Sequence, residues 1–143
     1  MRLDLYQQET ATIAALQGGL LDEAAQKLQA GQTLSALEQN GVLHALQILI
    51  ENAIGKAKHL LKASDQTVPV SAYDAFLLLA QAKLIAASET PQWNNAVGLR
   101  NKIVHDYMNL RMDIVLALVV QQQYRFIVNF LQAPIPSQLS TKK

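Results

Sequence analysis

Cysteine is absent from the 143 residues of this chain. Its absence excludes disulfide bonds, thiolate nucleophiles and any zinc or iron–sulfur site that depends on cysteine ligands. Long apolar runs are also lacking, since the longest, IVLALVV at residues 114–120, is far shorter than the ~20 residues of a membrane-spanning helix. The first ten residues, MRLDLYQQET, lack the apolar stretch of a signal peptide. We therefore expect a soluble, cytoplasmic protein with no membrane partner.

The chain has almost no excess of one charge, because twelve basic and eleven acidic residues leave a net charge of +1. This balance argues against a protein that coats nucleic acid by bulk electrostatics. The distribution is uneven, since residues 1–51 hold six acids and two bases, whereas residues 52–143 hold ten bases and five acids. A local basic surface in the second part is compatible with this pattern. For the segment GKAKHLLK, a solvated helix face is the simpler interpretation.

Apolar residues at three- and four-residue spacing predict helices along most of the chain. The first helix carries its apolar face at Ile13, Leu16, Leu20, Ala24 and Leu28, and Gly18-Gly19 predicts a kink or break in it. A long second helix follows the same rhythm through Leu43, Leu46, Ile50, Ile54 and Leu61, with Asn40-Gly41 as an interruption near its start.

Three shorter helices complete the predicted fold. Ser71 is the predicted N-cap of the third helix, with Asp74 favouring the positive end of its dipole. Thr90 is the predicted N-cap of the fourth, with Pro91 at its first position. After Asn109 a fifth helix is predicted from the spacing of Leu116, Val120, Ile127 and Leu131, and Pro134 and Pro136 end it. We predict an all-α antiparallel bundle of four to five helices, with one domain over residues 1–133 and a polar tail over residues 134–143.

The segment GLRNKIVHDYMNL, residues 98–110, gathers an unusual set of polar side chains on the predicted fourth helix. At about 100° per residue, Asn101 and His105 lie roughly 100° and 140° from Arg100. If the helix continues, Tyr107 lies only about 20° from Arg100, and Val97, Val104 and Met108 share the polar arc. Those apolar residues predict that this face is buried between two copies of the chain.

Arginine and histidine together suit the cleavage of RNA. A guanidinium grips two phosphate oxygens, and an imidazole can take or give a proton near neutral pH. If His105 removes the 2′-hydroxyl proton and Arg100 holds the charge that develops on phosphorus, the strand is cleaved without a metal. The products are a 2′,3′-cyclic phosphate and a 5′-hydroxyl.

The segment VGLRNKIVHDY resembles the Arg-X4-6-His motif of the HEPN superfamily and, in its longer form, the Arg-X4-His-X-Tyr signature of the HepT (DUF86) toxins. LQILIENAIGKAKHLL and SAYDAFLLLAQAKLI also look like the helices that precede the motif in that family. The resemblance covers roughly residues 40–131. The first 40 residues carry no family signal beyond being helical.

This resemblance implies a toxin of a toxin–antitoxin system, a homodimeric endoribonuclease that acts on RNA and not DNA. It assigns catalysis to Arg100 and His105 and an orienting role to Asn101, and it leaves Asp106 without a catalytic role. Two copies of His105 facing one cleft supply both a base and an acid. Tyr107 matches the tyrosine that an MntA-type nucleotidyltransferase antitoxin adenylylates, and AMP there would compete with RNA for Arg100.

Other polar residues keep simpler interpretations. His44 and His59 are fifteen residues apart, which prevents both from binding one metal, so we expect packing or surface roles and neither a metal nor a cofactor. Trp93 fits packing at a helix start better than base stacking. Glu51 and Asp74 fit the family pattern, but helix pairing or capping explains them equally well.

One alternative function comes from a different class of protein. Related helical bundles serve as non-catalytic substrate-binding subunits of minimal nucleotidyltransferases. The complete Arg-X4-His-X-Tyr pattern favours the nuclease.

Overall fold

The computed structural model describes residues 2–136 and residue 139. Within them the structure is all-helical and has no strand, which confirms the predicted helical bundle. Six α-helices follow one another: α1 (Leu3–Gln29), α2 (Ala36–Ala63), α3 (Ala72–Gln81), α4 (Thr90–His105), α5 (Met112–Val120) and α6 (Arg125–Gln132). Short 3₁₀ turns at Ala87–Glu89 and Tyr107–Asn109 precede and follow α4.

Helix α2 is the centre of the bundle and packs against α1, α3, α4 and α6. Its start is set by a capping box, in which Ser35 Oγ accepts from the Glu38 amide and Glu38 accepts from the Ser35 amide. The interruption predicted at Asn40-Gly41 does not occur, because α2 runs without a break through both residues. Its inward face is apolar and almost fully buried, and includes Leu46, Leu49, Ile50, Ala53 and Ala57.

Helix α1 is also continuous, so the break predicted at Gly18-Gly19 is wrong. A Cβ atom at Gly18 would lie 3.1 Å from Cγ2 of Val128, which shows that this glycine allows α6 to approach α1 closely. The predicted apolar face is also partly wrong, since Leu16 and Leu20 are exposed. A neighbouring face, containing Ala14, Leu21 and Ala25, is buried instead.

The starts of α3 and α4 differ in how well the sequence predicted them. Ser71 caps α3 as predicted, with its hydroxyl accepting from the Asp74 amide at 3.3 Å. The predicted N-cap Thr90 is wrong, because the 3₁₀ turn before α4 brings the chain into helical geometry one residue earlier. Glu89 holds the N-cap position, and Pro91 is the second helical residue.

The predicted fifth helix is two helices, α5 and α6, which is why the total exceeds four to five. The chain turns between them at Gln122, whose φ of 56° is in the left-handed region. The ammonium of Lys56, on α2, donates to the carbonyls of Phe130 and Ala133 at 2.7 and 2.6 Å and holds the end of α6 on the core.

The polar tail predicted over residues 134–143 lies largely outside the described residues. Leu139, which is described, is buried in the hydrophobic core. The assignment of residues 1–133 to a single domain stays a prediction.

No individual helix in the described part of the chain has both the length and the apolar character needed to cross a membrane. Taken together, α5 and α6 meet those two criteria, but they are bent by 62° at their junction.

Candidate active site

Helix α4 carries the motif residues and is fixed in the bundle by its apolar face. Trp93 is fully buried, and its ring stacks on Phe76 with centroids 4.2 Å apart and planes 8° from parallel. The packing role predicted for Trp93 is therefore confirmed, and base stacking is excluded. Val97 is also buried in the core, at 1% exposure, so its predicted place on an exposed dimer face is wrong. Leu99 and Ile103 contact the same core.

Arg100 is held between two neighbouring side chains. Its Nε donates to Oε2 of Glu51 on α2 at 3.0 Å, and its Nη1 donates to Oδ1 of Asn101 at 3.2 Å. The side chains of Arg100 and Glu51 are 27% and 33% exposed, so the ion pair is partly shielded from water. The sequence left Glu51 with a choice of roles, and the structure makes it the partner of Arg100. The remaining N–H groups of the guanidinium are free to bind an anion.

His105 is the last residue of α4 and is exposed to solvent. Five residues of helix place it about 140° around the axis from Arg100, and no hydrogen bond joins the two in the described part of the molecule. Asn101 lies one turn before His105 and accepts from Arg100, so it stands between the two. In the described part of the chain, hydrogen bonds join Arg100 to Glu51 and to Asn101, and none joins His105 to this group.

Tyr107 lies beyond the end of α4, which corrects the prediction that it is nearly eclipsed with Arg100. Asp106 leaves helical geometry, with φ of −144° and ψ of 41°, and Tyr107 begins a 3₁₀ turn. Nδ2 of Asn109 donates to Oδ1 of Asp106 at 2.7 Å and closes this turn. Tyr107 is 53% exposed and Met108 is 92% exposed, so the turn presents both side chains to solvent.

The other histidines have surroundings that agree with structural roles. His59 packs against Tyr6, with ring centroids 4.2 Å apart, and His44 is exposed on α2. Residues 2–136 and 139 contain no group of three or more His, Asp or Glu side chains arranged to hold a metal ion. That the reaction needs no metal stays a prediction, because the arrangement of side chains does not test the reaction.

Sequence similarity connects this site to known ribonucleases. A family model described as Ribonuclease HepT-like matches residues 17–133 of the chain. Over 81 residues the chain is 40% identical to the mRNA nuclease HepT of Shewanella oneidensis. This aligned part covers 57% of the chain and 61% of that relative, which is less than two thirds of the relative's length.

Solved toxin–antitoxin complexes contain chains of similar fold. A tri-AMPylated Shewanella oneidensis HEPN toxin in complex with MNT antitoxin superimposes with a TM-score of 0.75 at 26% identity, over 89% of this chain and 96% of that chain. A mutant MntA–HpeT toxin–antitoxin matches with a TM-score of 0.62 at 29% identity, over 84% and 95%. A toxin–antitoxin with AMP-PNP has a TM-score of 0.74 at 24% identity over 88% and 97%, which shows the fold alone.

Proposed function

Because this chain belongs to the HepT-like ribonuclease family, we propose that it is the toxin of a toxin–antitoxin system, a cytoplasmic endoribonuclease that cleaves RNA without a metal ion. Arg100 and His105 are the catalytic residues, and Asn101 and Glu51 position the guanidinium. The curated relative is an mRNA nuclease, which makes RNA the substrate class to test.

The observation that carries this proposal is the hydrogen bonding of the Arg100 guanidinium. Nε of Arg100 donates to Glu51 and Nη1 donates to Asn101, so neither bond uses Nη2. These two bonds restrict the side chain to one geometry and leave N–H groups for a phosphate. Positioned donors of this kind stabilise charge that develops in a transition state.

The reaction needs a base and an acid in addition to Arg100. His105 takes the proton of the 2′-hydroxyl as the 2′-oxygen attacks phosphorus, and the bond from phosphorus to the 5′-oxygen breaks. A protonated imidazole gives its proton to the leaving 5′-oxygen. The products are a 2′,3′-cyclic phosphate and a 5′-hydroxyl. In the transition state Arg100 stabilises the charge on the non-bridging phosphate oxygens.

A homodimer explains how two imidazoles reach one phosphate. A base on the 2′-hydroxyl and an acid on the leaving oxygen require two imidazoles, whereas each chain offers one motif histidine, His105, which is exposed. Two exposed apolar side chains flank this histidine, Val104 at 39% and Met108 at 92% exposure. Their burial against the same surface of a second copy would stabilise the dimer.

Regulation acts through Tyr107 and an MntA-type nucleotidyltransferase antitoxin. Chains of this fold occur in complexes with MNT and MntA antitoxins, and one such toxin is tri-AMPylated. In the present chain the phenol of Tyr107 is half-exposed in a turn directly after His105. AMP attached there adds a bulky anion next to the catalytic histidine, which blocks RNA by volume and by charge.

The decisive experiment is RNA cleavage by the purified protein, free of any antitoxin. Replacing Arg100 or His105 with alanine should lower kcat by at least about 10²-fold, because each removes a group that acts in the transition state. Circular dichroism should show unchanged helix content, since His105 is exposed and Arg100 lies outside the core. Full activity in His105→Ala, or loss of wild-type activity in EDTA, would overturn the proposal.

A further inference from the structure

A groove of about 630 Å³ extends from Arg100 across the surface between α2, α4 and the start of α3. Glu51, Gly55 and Lys58 of α2 form one wall, and Arg100 and Asn101 belong to α4. The opposite wall is formed by residues 70–73, which lead into α3. The groove is open to solvent and continuous with the guanidinium that we assign to the scissile phosphate.

Lys58 places a second positive charge in this groove. Its Nζ donates to the carbonyl of Val70 at 3.0 Å, which holds the side chain along the wall. An ammonium has three N–H donors, so this bond leaves others available. Lys58 is seven residues after Glu51 on α2, which puts it roughly 10 Å along the helix from the partner of Arg100. A short stretch of RNA backbone spans that distance.

Tyr73 supplies an aromatic surface on the opposite wall. It is the second residue of α3 and is 42% exposed. Its hydroxyl lies 3.6 Å from the position that a Cβ atom at Gly98 would occupy, so the ring reaches across to α4 one turn before Asn101. Exposed tyrosine rings next to basic groups are the usual platform for unpaired bases.

We propose that this groove binds the single-stranded RNA that flanks the scissile phosphate, with Lys58 contacting a backbone phosphate and Tyr73 stacking on a base. The inference rests on the proposed ribonuclease function and adds a substrate subsite to it. Stacking on tyrosine requires an unpaired base, so the groove selects single-stranded segments over duplex RNA. Glu51 does not oppose this binding, because its charge is paired with Arg100.

The test separates binding from cleavage by using two RNA probes. Affinity is measured with a fluorescent 2′-O-methyl oligouridylate of about 12 nucleotides, which occupies the groove but has no free 2′-hydroxyl to react. Cleavage is measured with the unmethylated oligouridylate of the same length. The variants are Lys58→Gln, Tyr73→Ala and Tyr73→Phe, with Lys83→Asn as the matched loss of one charge. Lys83 lies away from the groove with φ of 62°, which asparagine tolerates.

The expected results follow from the two contacts. Tyr73→Ala should weaken binding roughly 5- to 150-fold and Tyr73→Phe should bind as the wild type, because only the ring is needed. Lys58→Gln should weaken binding and lower the slope of log affinity against log salt by about 0.7, the value for one phosphate contact on a single strand. Both losses should raise KM more than they lower kcat. Lys83→Asn should match the wild type.

Two outcomes would overturn the subsite while leaving the ribonuclease intact. In the first, the wild type cleaves RNA and Arg100→Ala does not, but Lys58→Gln and Tyr73→Ala bind the methylated probe with the affinity of the wild type and cleave the unmethylated one with its KM. In the second, Tyr73→Ala changes the oligomeric state on size-exclusion chromatography, which would make the groove a contact between copies. A wild-type protein that binds the methylated probe through Lys58 and Tyr73 but cleaves no RNA would instead refute the proposed function alone.

Discussion

Glu51 offers a test of how the site is positioned, because its Oε2 accepts from Nε of Arg100 as well as from Nε2 of Gln47, one turn earlier on α2. The Nε–Oε2 distance is 3.0 Å, and the two side chains are 27% and 33% exposed. Exposed ion pairs contribute about 0.2–1 kcal/mol and hydrogen bonds to charged groups about 1.5–3 kcal/mol, so we assign this partly shielded pair about 1 kcal/mol. Restricting an arginine to one rotamer costs up to about 2 kcal/mol, and this pair offsets part of that cost.

Glu51→Ala should therefore lower kcat about 5-fold, since 1.36 kcal/mol corresponds to a factor of ten. Glu51→Gln retains an oxygen that accepts from Nε, so its kcat should stay close to that of the wild type. KM should stay close to the wild-type value in both variants, because the charge of Glu51 is paired with Arg100 and does not oppose RNA binding. The assay is steady-state cleavage of an oligoribonucleotide, with thermal unfolding measured in parallel.

Glu9→Ala is the matched control, because Glu9 is an exposed acid on α1 far along the chain from the motif. It removes the same charge and should leave kcat unchanged. A positioning role for Glu51 is refuted if Glu51→Ala retains full kcat, or if the kcat of Glu51→Gln falls as far as that of the alanine variant. The first result would mean that Asn101 alone orients the guanidinium, and the second that charge and not geometry is what Glu51 contributes.

Three further predictions follow from the structure. Tyr107→Phe should cleave RNA but escape neutralisation by the partner nucleotidyltransferase, and mass spectrometry after co-expression should find one or more additions of about 329 Da on the Tyr107 peptide of the parent only; modification of another tyrosine would contradict this. Val104→Asp and Met108→Asp should shift the protein from dimer to monomer in analytical ultracentrifugation and abolish cleavage together, whereas an active monomer would show that one chain suffices. Burial lowers the pKa of Lys56 to about 8, so between that pH and its ordinary 10.5 the unfolded chain binds a proton that the folded chain has released. The free energy of unfolding of the wild type should therefore rise with pH across this window, relative to that of Lys56→Met. Parallel pH profiles for the two proteins would be inconsistent with a buried, titrating lysine.

The predicted positions of the motif residues on α4 and of Tyr107 beyond its end differ in how far helical periodicity can predict them. The resemblance to the HepT motif points to Arg100, Asn101 and His105, and their relative placement follows from the constant rotation and rise of one helix. Tyr107 was misplaced because that rotation stops at Asp106, and no glycine or proline marks the end of α4 there. Gln122 is a second example. The apolar spacing continues across the turn at this residue and predicts one helix, although the turn separates α5 from α6.

Local hydrogen bonds and periodicity in the sequence correctly indicate the helical class and the helix-capping role of Ser71. The catalytic roles of Arg100 and His105 rest on the family motif and stay predictions. The bond between Glu51 and Arg100 could not be read from local sequence, because these residues are 49 positions apart and meet through the packing of α2 on α4. Gly18 shows the same division of information. A glycine pair in a helix locally indicates a break, but here the missing side chain is the space that Val128 fills, and the neighbouring helix reverses what the local signal predicts.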